Sequence, residues 1–336
     1  MGTAYDPNAS DYVDEMAVRH ETARVFDVCV SCQKCVDVCS VFPMMVTQVD
    51  SCVDRDAALL TPAQQDDIIN ACTQCTQCAN QCPYIDEPLG QAVNFPALAI
   101  RHRAMLRRNK FLTVRQEISK EILARSATHM SWSTPFRYLG AQLLRYVTYL
   151  APALLTRQRD VSKGLSFHRV QEANSSEVTF FPTCVIDAYA PEVGVATQKV
   201  FATAGVHCVS GKWNSCCGAP DLYAGNIRRF RRVVAKNVRA FRASLEQGRG
   251  VVVGQPGCLY VMREHYADFS HDPGVGDVVT RLQDPWEFLA ETVAAERERD
   301  FHPQTPHRSL VLLQSSMTLR NDGAPSAHDV LQRWGW

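Results

Sequence analysis

A chain of 336 residues, 46% of them hydrophobic, is long enough to bury two ordinary cores. Lysine plus arginine equals aspartate plus glutamate at 35 each, so no bulk charge draws the protein to nucleic acid or to an anionic membrane surface. Fourteen cysteines follow an acidic, polar start, MGTAYDPNASDYVDEM, that lacks a signal-peptide pattern, so reduced thiols serving metal are expected in a cytoplasmic protein.

Residues 1 to 28 read as a short arm running into a helix, with Val13, Met16 and Ala17 at helical spacing behind Ser10 and Asp11 as caps. Residues 29 to about 110 hold nine of the cysteines. Between two groups of them lies TPAQQDDIINAC, where Thr61 as N-cap and Pro62 at the first helical position predict a helix. The first region, 1–110, is therefore expected to be helical. Residues 111–176 read as a helical connector broken at SWSTP, 131 to 135. Within it, YLGAQLLRYVTYLAPALL, 138 to 155, approaches membrane-spanning length but carries Gln142, Arg145 and Thr148. Leu139, Leu143, Leu144, Val147 and Leu150 recur at helical spacing, which predicts an amphipathic helix interrupted by Pro152.

From residue 177 strands and helices alternate. VTFFPTC is a short apolar run, PEVGVATQKVFATAG a helix ending at Gly205, and VHCVSG a strand. IRRFRRVVAKNVRAFRASLEQG is strongly amphipathic, with Ile227, Phe230, Val233, Val234, Val238, Phe241 and Leu245 on one face and Gly248 as its stop. VVVGQPGC reads as a third strand, LYVMREHYADF as a helix, GVGD as a turn, DPWEFLAETVAAERE as a helix and SLVLLQSS as a fourth strand. This order predicts a parallel sheet covered by helices over 177–308, with a further partial unit at 309–336. The arginines of IRRFRRVVAK and RHRAMLRRNK fall on helix faces expected to be exposed, as solvated surface or as docking surface for an acidic electron partner.

The cysteines of the first region form two tetrads. CVSCQKCVDVC places Cys29, Cys32, Cys35 and Cys39 at C-x2-C-x2-C-x3-C, and CTQCTQCANQCP repeats the spacing with Cys72, Cys75, Cys78 and Cys82 before Pro83. This is the two-cluster ferredoxin spacing, in which three thiolates wrap one cluster and the fourth reaches the other. The predicted sets are Cys29, Cys32, Cys35 and Cys82 for one 4Fe-4S cluster, and Cys72, Cys75, Cys78 and Cys39 for the second. Zinc sites instead pair C-x2-C with a distant second pair. Cys52 fits neither tetrad and reads as a spare thiol.

In the second half Cys184, Cys216, Cys217 and Cys258 each follow a predicted strand, at the end of an α/β sheet where ligands bind. Adjacent cysteines send their sulfurs to different sides of the backbone, and Gly218 lets the chain turn at once. Cys208, inside a strand, reads as core. FPTC with Pro191, CCGAP at 216 to 220 and PGCLYVMREHY at 256 to 266 resemble the cysteine-rich CCG domain shared by the B subunit of heterodisulfide reductase, the glycolate oxidase iron-sulfur subunit and the C subunit of anaerobic glycerol-3-phosphate dehydrogenase. The tetrads resemble the helical two-cluster domain that precedes it, as in a fusion of the B and C subunits of heterodisulfide reductase.

The resemblance implies a Rossmann-like fold and a third metal centre on Cys184, Cys216, Cys217 and Cys258, which in one case is a non-cubane cluster that reduces a disulfide. Two departures bear on that role. Gln255 stands where the motif has a cysteine, and the second CCG copy, beginning at SLVLLQSSMTLRNDG, offers Ser315, Ser316 and Met317 in place of ligands and stops at Trp336. Four thiolates suit a 4Fe-4S cluster, a non-cubane cluster or zinc.

No glycine-rich dinucleotide fingerprint, P-loop or nucleophile elbow is present, so no catalytic residue is assigned. His265 reads as a helix residue near the crevice. The expected function is an iron-sulfur electron-transfer subunit that works with a flavin-dependent dehydrogenase or another redox subunit, any membrane association running through that partner. The alternatives are disulfide reduction at the CCG centre, and a two-cluster wire beside a zinc-stabilised assembly module.

Overall fold

The computed structural model describes residues 5–85, 87, 92–109, 176–210 and 216–292. Residues 111–175 of the predicted connector, its 138–155 helix, and the strand and partial unit at 309–336 lie outside the described residues.

Among the described residues of the first half there are five α-helices: α1 (Glu15–Cys32), α2 (Val41–Asp50), α3 (Pro62–Ala71), α4 (Gln77–Asn80) and α5 (Phe95–Arg108). The cap of α1 is Asp14, whose carboxylate accepts from Ala17 N at 2.9 Å, rather than Ser10 or Asp11. The upstream residues are held in successive turns, Tyr12 N to Ala9 O at 3.2 Å and Asp14 N to Asp11 O at 3.0 Å, so the helix cannot begin earlier. Helix α3 starts as expected, with a reciprocal capping box between Thr61 and Gln64 and Pro62 in the first turn. The core between these helices is apolar, with Phe26 stacked on Phe95 at 6.1 Å and Met45, Ile68, Ile69 and Leu98 fully buried.

Helix α5 corrects one expectation: Arg101, His102 and Arg103 of RHRAMLRRNK are buried, at 7%, 0% and 7% exposure. Each points to a different part of the molecule. Arg101 donates to the carbonyls of Tyr12 and Asp11, both at 2.9 Å. His102 sits between Thr22 Oγ1 at 3.0 Å and Asp66 Oδ1 at 2.8 Å. Arg103 donates to Cys72 O at 2.6 Å, Ile69 O at 2.7 Å and Tyr223 O at 3.1 Å. A helix can bury such side chains only where hydrogen-bond partners satisfy them, and here the N-terminal arm, α1, α3 with the cysteine loop after it, and the second half of the chain supply them.

The second half is a parallel α/β unit. Its strands are β1 (Ser176–Phe181), β2 (Val206–Ser210), β3 (Gly250–Val253) and β4 (Leu282–Gln283), in the order β2-β1-β3-β4. Val178 pairs with Cys208 on one side of β1 and with Gly250 on the other. The helices are α6 (Thr183–Tyr189), α7 (Pro191–Thr203), α8 (Ala219–Tyr223), α9 (Ile227–Glu246), α10 (Pro256–Phe269), α11 (Val275–Val279) and α12 (Pro285–Thr292). Two details differ from the sequence reading. Val275 to Val279 form a short helix where a turn is expected, burying Val275, Val278 and Val279. A fourth strand is already supplied by Leu282 and Gln283, against Val251 and Val252.

Helix α9 carries its apolar stripe as expected: Phe230, Val234, Val238, Phe241 and Leu245 are buried. Arg228, Arg232, Lys236 and Arg239 form its exposed face. One continuous core joins the halves, since Tyr12, Ile100 and Ala104 pack with Leu222, Phe230 and Phe269, the Tyr12 ring meeting Phe269 edge-on at 6.5 Å. At this junction Gly225, with φ of 73°, lies so close to α5 that a Cβ there would stand 2.5 Å from Ala104 N and from Arg103 C. No side chain fits. Among the described residues, no helix is long and apolar enough to cross a membrane.

Candidate metal centres

None of the fourteen cysteines is in a disulfide. The tetrad loops are turned by residues in the left-handed region: Gln33 at φ 58°, Gln74 at 62° and Thr76 at 60°. Non-glycine residues hold that conformation only when the surroundings enforce it. For Gln74 the enforcement is visible, since its amide donates to Pro96 O at 3.1 Å and reaches Cys72 Sγ at 3.8 Å. Thr76, between Cys75 and Cys78, is buried.

The turns bring sulfurs of the two tetrads near one another. Cys29 stands within electrostatic reach of Cys82, Cys78, Cys35 and Cys32, so three of its four thiol neighbours are those predicted for its cluster. Cys78 has Cys39, Cys35, Cys72 and Cys75 around it, again three of the predicted set. Burial first, then these neighbours, raise the Cys29 and Cys78 thiols well above their ordinary range, and push Cys35 up to about 11. Closely grouped thiols cannot all ionise unless a cation neutralises them, and bound iron does so. The donor type, closely grouped cysteine sulfur, fits iron-sulfur clusters. Cys52 stands apart, its thiol 3.6 Å from Gln48 O.

In the α/β half the four thiols form a chain at the C-terminal ends of the strands. Cys184 lies beside Cys216, Cys216 beside Cys217, and Cys217 beside Cys258. The adjacent cysteines thus face opposite ways, one toward α6 and the other toward α10. Thr183, at φ 69°, turns the chain just before Cys184, and Gly218, at φ 91°, turns it just after Cys217. Any Cβ on Gly218 would meet the Phe230 ring at 2.8 Å.

Cys184 lowers the Cys216 thiol, but Cys217 and burial outweigh this and leave it raised to about 12. Cys184 and Cys258 occupy the first turns of α6 and α10; Cys216 and burial leave the Cys184 thiol raised, outweighing the backbone N–H groups of α6 that lower it. Gln255, in place of a cysteine, serves the adjoining helix, because its Oε1 accepts from Cys258 N at 2.6 Å and caps α10 at the turn that carries the ligand. Among the described residues, no three Cys, His, Asp or Glu side chains close on one point as a single ion requires. Cys208 lies in the core, burial pushing its thiol up to about 12.

Four supporting residues escape a reading by motif. Asn237 Nδ2 donates to Cys216 O at 2.9 Å, and Tyr266 Oη donates to Cys217 O at 2.9 Å, both from fully buried positions. A lone asparagine beside the apolar stripe of α9 is the one signal that could have found the first. Arg103 and Tyr223 connect the halves. Tyr223 lies within electrostatic reach of Cys217, Cys258 and Cys72, so it is near both the doubled cysteine and the second tetrad.

Comparison with known families defines the class. The model for the cysteine-rich CCG domain matches residues 178–263, and that for a 4Fe-4S binding domain matches 26–42 and 69–85. The chain therefore carries a CCG cysteine-rich domain and a 4Fe-4S binding domain. Over 271 residues it is 23% identical to the B subunit of the fumarate reductase (CoM/CoB) of Methanothermobacter marburgensis, covering 76% of this chain and 47% of that one. It is also similar to the lactate utilization protein A of Geobacillus kaustophilus, 27% identical over 36% of this chain and 44% of the relative. A third relative is the lactate utilization protein A of Geobacillus thermodenitrificans, 26% identical over 42% of this chain and 58% of that one. The chain thus spans about half the length of the curated relatives it matches. No solved structure matches.

Proposed function

We propose that the protein is the electron-transfer subunit of an oxidoreductase complex, relaying electrons through two 4Fe-4S clusters to the CCG-domain metal centre or to a partner. The observation that supports this reading is that Arg103 joins the carbonyl of Cys72, in the second tetrad, at 2.6 Å to that of Tyr223, in the helix that follows Cys216 and Cys217, at 3.1 Å. When bound, the clusters supply one-electron chemistry whose potential follows charge, hydrogen bonding and exposure. Cys29, Cys32, Cys35 and Cys82 would hold one, and Cys72, Cys75, Cys78 and Cys39 the other. Cys184, Cys216, Cys217 and Cys258 would hold the third centre.

The chain's own residues keep this line of sulfurs dry and fixed. Cys29, Cys35 and Cys78 are buried, as are Cys216, Cys217 and Cys258, while Cys75 is exposed and Cys184 half-buried. The exposed thiol marks a face where a partner can approach the second tetrad. A flavin-dependent dehydrogenase or another redox subunit is the partner proposed, on the resemblance and on the naming of one relative as a reductase subunit. We place the complex in the cytoplasm, with any membrane attachment made by the partner.

The test is iron and zinc per chain after anaerobic purification, for the wild type and for Cys217→Ser. About twelve irons, falling by about four in the variant, support three clusters. About eight irons with one zinc that the variant loses would make the CCG half structural and overturn the three-centre relay.

A further inference from the structure

Arg103 is the most unusual charge in the protein. Its guanidinium is buried, and all its acceptors are carbonyls: Cys72 at 2.6 Å, Ile69 at 2.7 Å and Asn70 at 3.4 Å from one nitrogen, and Tyr223 at 3.1 Å from the other. Four other sheltered arginines have carboxylates. Arg19 pairs with Asp66 at 3.1 Å, Arg24 with Glu21 at 2.7 Å, Arg101 with Asp11 at 3.4 Å and Arg263 with Glu287 at 2.7 Å. Among the described residues, Arg103 has no carboxylate; the one group with a favourable charge toward it is the Cys72 sulfur.

A buried cation without a counter-charge is strongly unfavourable, and carbonyl dipoles satisfy its N–H groups without neutralising it. An iron-sulfur cluster held by four thiolates is negative, and becomes more so on reduction. The arginine cannot swing away to water. Gly225 is pressed against the Arg103 and Ala104 backbone, where a Cβ would stand at 2.5 Å, and this clamps α8 and its Tyr223 carbonyl onto the guanidinium.

We propose that Arg103 is a fixed counter-charge for the cluster of Cys39, Cys72, Cys75 and Cys78, stabilising its reduced form and raising its potential above that of the cluster on Cys29, Cys32, Cys35 and Cys82. This rests on the two-cluster reading above. Electrons would then collect at the cluster that faces the CCG thiols, which gives the relay a direction. Arg103 acts through the ligand loop as a positioning and charge-setting residue and makes no bond to substrate. The sign follows from electrostatics alone: a nearby positive charge favours the more negative oxidation state.

The experiment is a reductive titration followed by EPR on anaerobically purified wild type, Arg103→Gln and Arg103→Lys, with iron counted on the same samples. Wild type with fewer than two reducible clusters would refute the two-cluster reading and, with it, the ground for this inference. Given two, the expected result is that one signal moves to lower potential in Arg103→Gln while the other stays, and that both stay in Arg103→Lys. Equal shifts in both signals, or none, overturn the proposal. Loss of one cluster's irons in Arg103→Gln would make the residue a scaffold and overturn the charge role. The lysine variant decides independently, because it keeps the charge and loses the fork. A fall of one potential in that protein overturns the proposal whatever the glutamine variant does.

Discussion

The hydroxyl of Tyr266 donates to the carbonyl of Cys217 at 2.9 Å while accepting from Asn237 Nδ2 at 2.8 Å, and that same amide donates to the carbonyl of Cys216. The doubled cysteine is thereby gripped by two side chains from two helices, α9 and α10. Both are fully buried, so neither can be replaced by water without opening the core.

Tyr266→Phe leaves the Cys217 carbonyl and one amide hydrogen of Asn237 with one partner fewer, at a cost of about 1–3 kcal/mol. Asn237→Ala removes both contacts and adds a cavity, so it is expected to cost more. In both variants the thermal midpoint falls, and metal at the CCG thiols is released faster to a chelator while the two tetrads keep their iron. Unchanged release would show that the grip serves stability alone.

Gly225 and Gly248 offer a controlled pair. Both have positive φ, 73° and 74°, but a Cβ on Gly248 meets nothing within 4 Å. Gly248→Ala should cost about 1 kcal/mol from the left-handed backbone alone. Gly225→Ala adds a clash with the backbone of α5 and should cost about 2–5 kcal/mol in total. Limited proteolysis is expected to separate the halves in the Gly225 variant only.

The crosswise ligand sets make a sharp comparison. Cys82→Ser should leave the same residual EPR signal as Cys29→Ser, and Cys39→Ser the same as Cys75→Ser. If Cys82→Ser matches Cys75→Ser instead, each tetrad holds its own cluster.

Two neighbours on α10 give pH effects of opposite sign. Burial of His265, whose ring meets Tyr260 edge-on at 5.8 Å, lowers its value to about 4. The unfolded chain then binds a proton that the folded one refuses, so stability is lost as pH falls from about 6.5 toward about 4. Burial, with Glu264 nearby, raises Asp268 to about 6. The folded carboxyl holds its proton longer than the unfolded one, so this residue lowers stability as pH rises toward about 6. Unfolding midpoints at about pH 5 and about pH 7.5 should therefore show His265→Phe flattening the acid loss and Asp268→Asn raising stability at the higher pH. A His265→Phe protein with the wild-type acid loss would place that loss elsewhere.

What is legible in the sequence is what is local. Metal-ligand spacing repeats within a dozen residues, and the apolar stripe of α9 is read from one turn to the next. The β4 strand is missed because two residues carry no periodicity, and α11 because glycines at 274 and 276 look like a turn. Arg103 reads as surface because a basic run usually is; its burial depends on carbonyls of Ile69, Cys72 and Tyr223, which no local pattern brings together. Gln255 looks like a lost ligand, and only the folded helix shows it as the cap beneath Cys258.

Helix α5 sends three consecutive residues to three destinations: Arg101 to the N-terminal arm, His102 to α1 and α3, and Arg103 to the cysteine loop and α8. Inserting or deleting one residue upstream in that helix would turn the three side chains by about 100° together. Three unrelated contacts would fail at once, and no single compensating substitution could restore them. In this part of the chain, length is therefore more tightly constrained than residue identity.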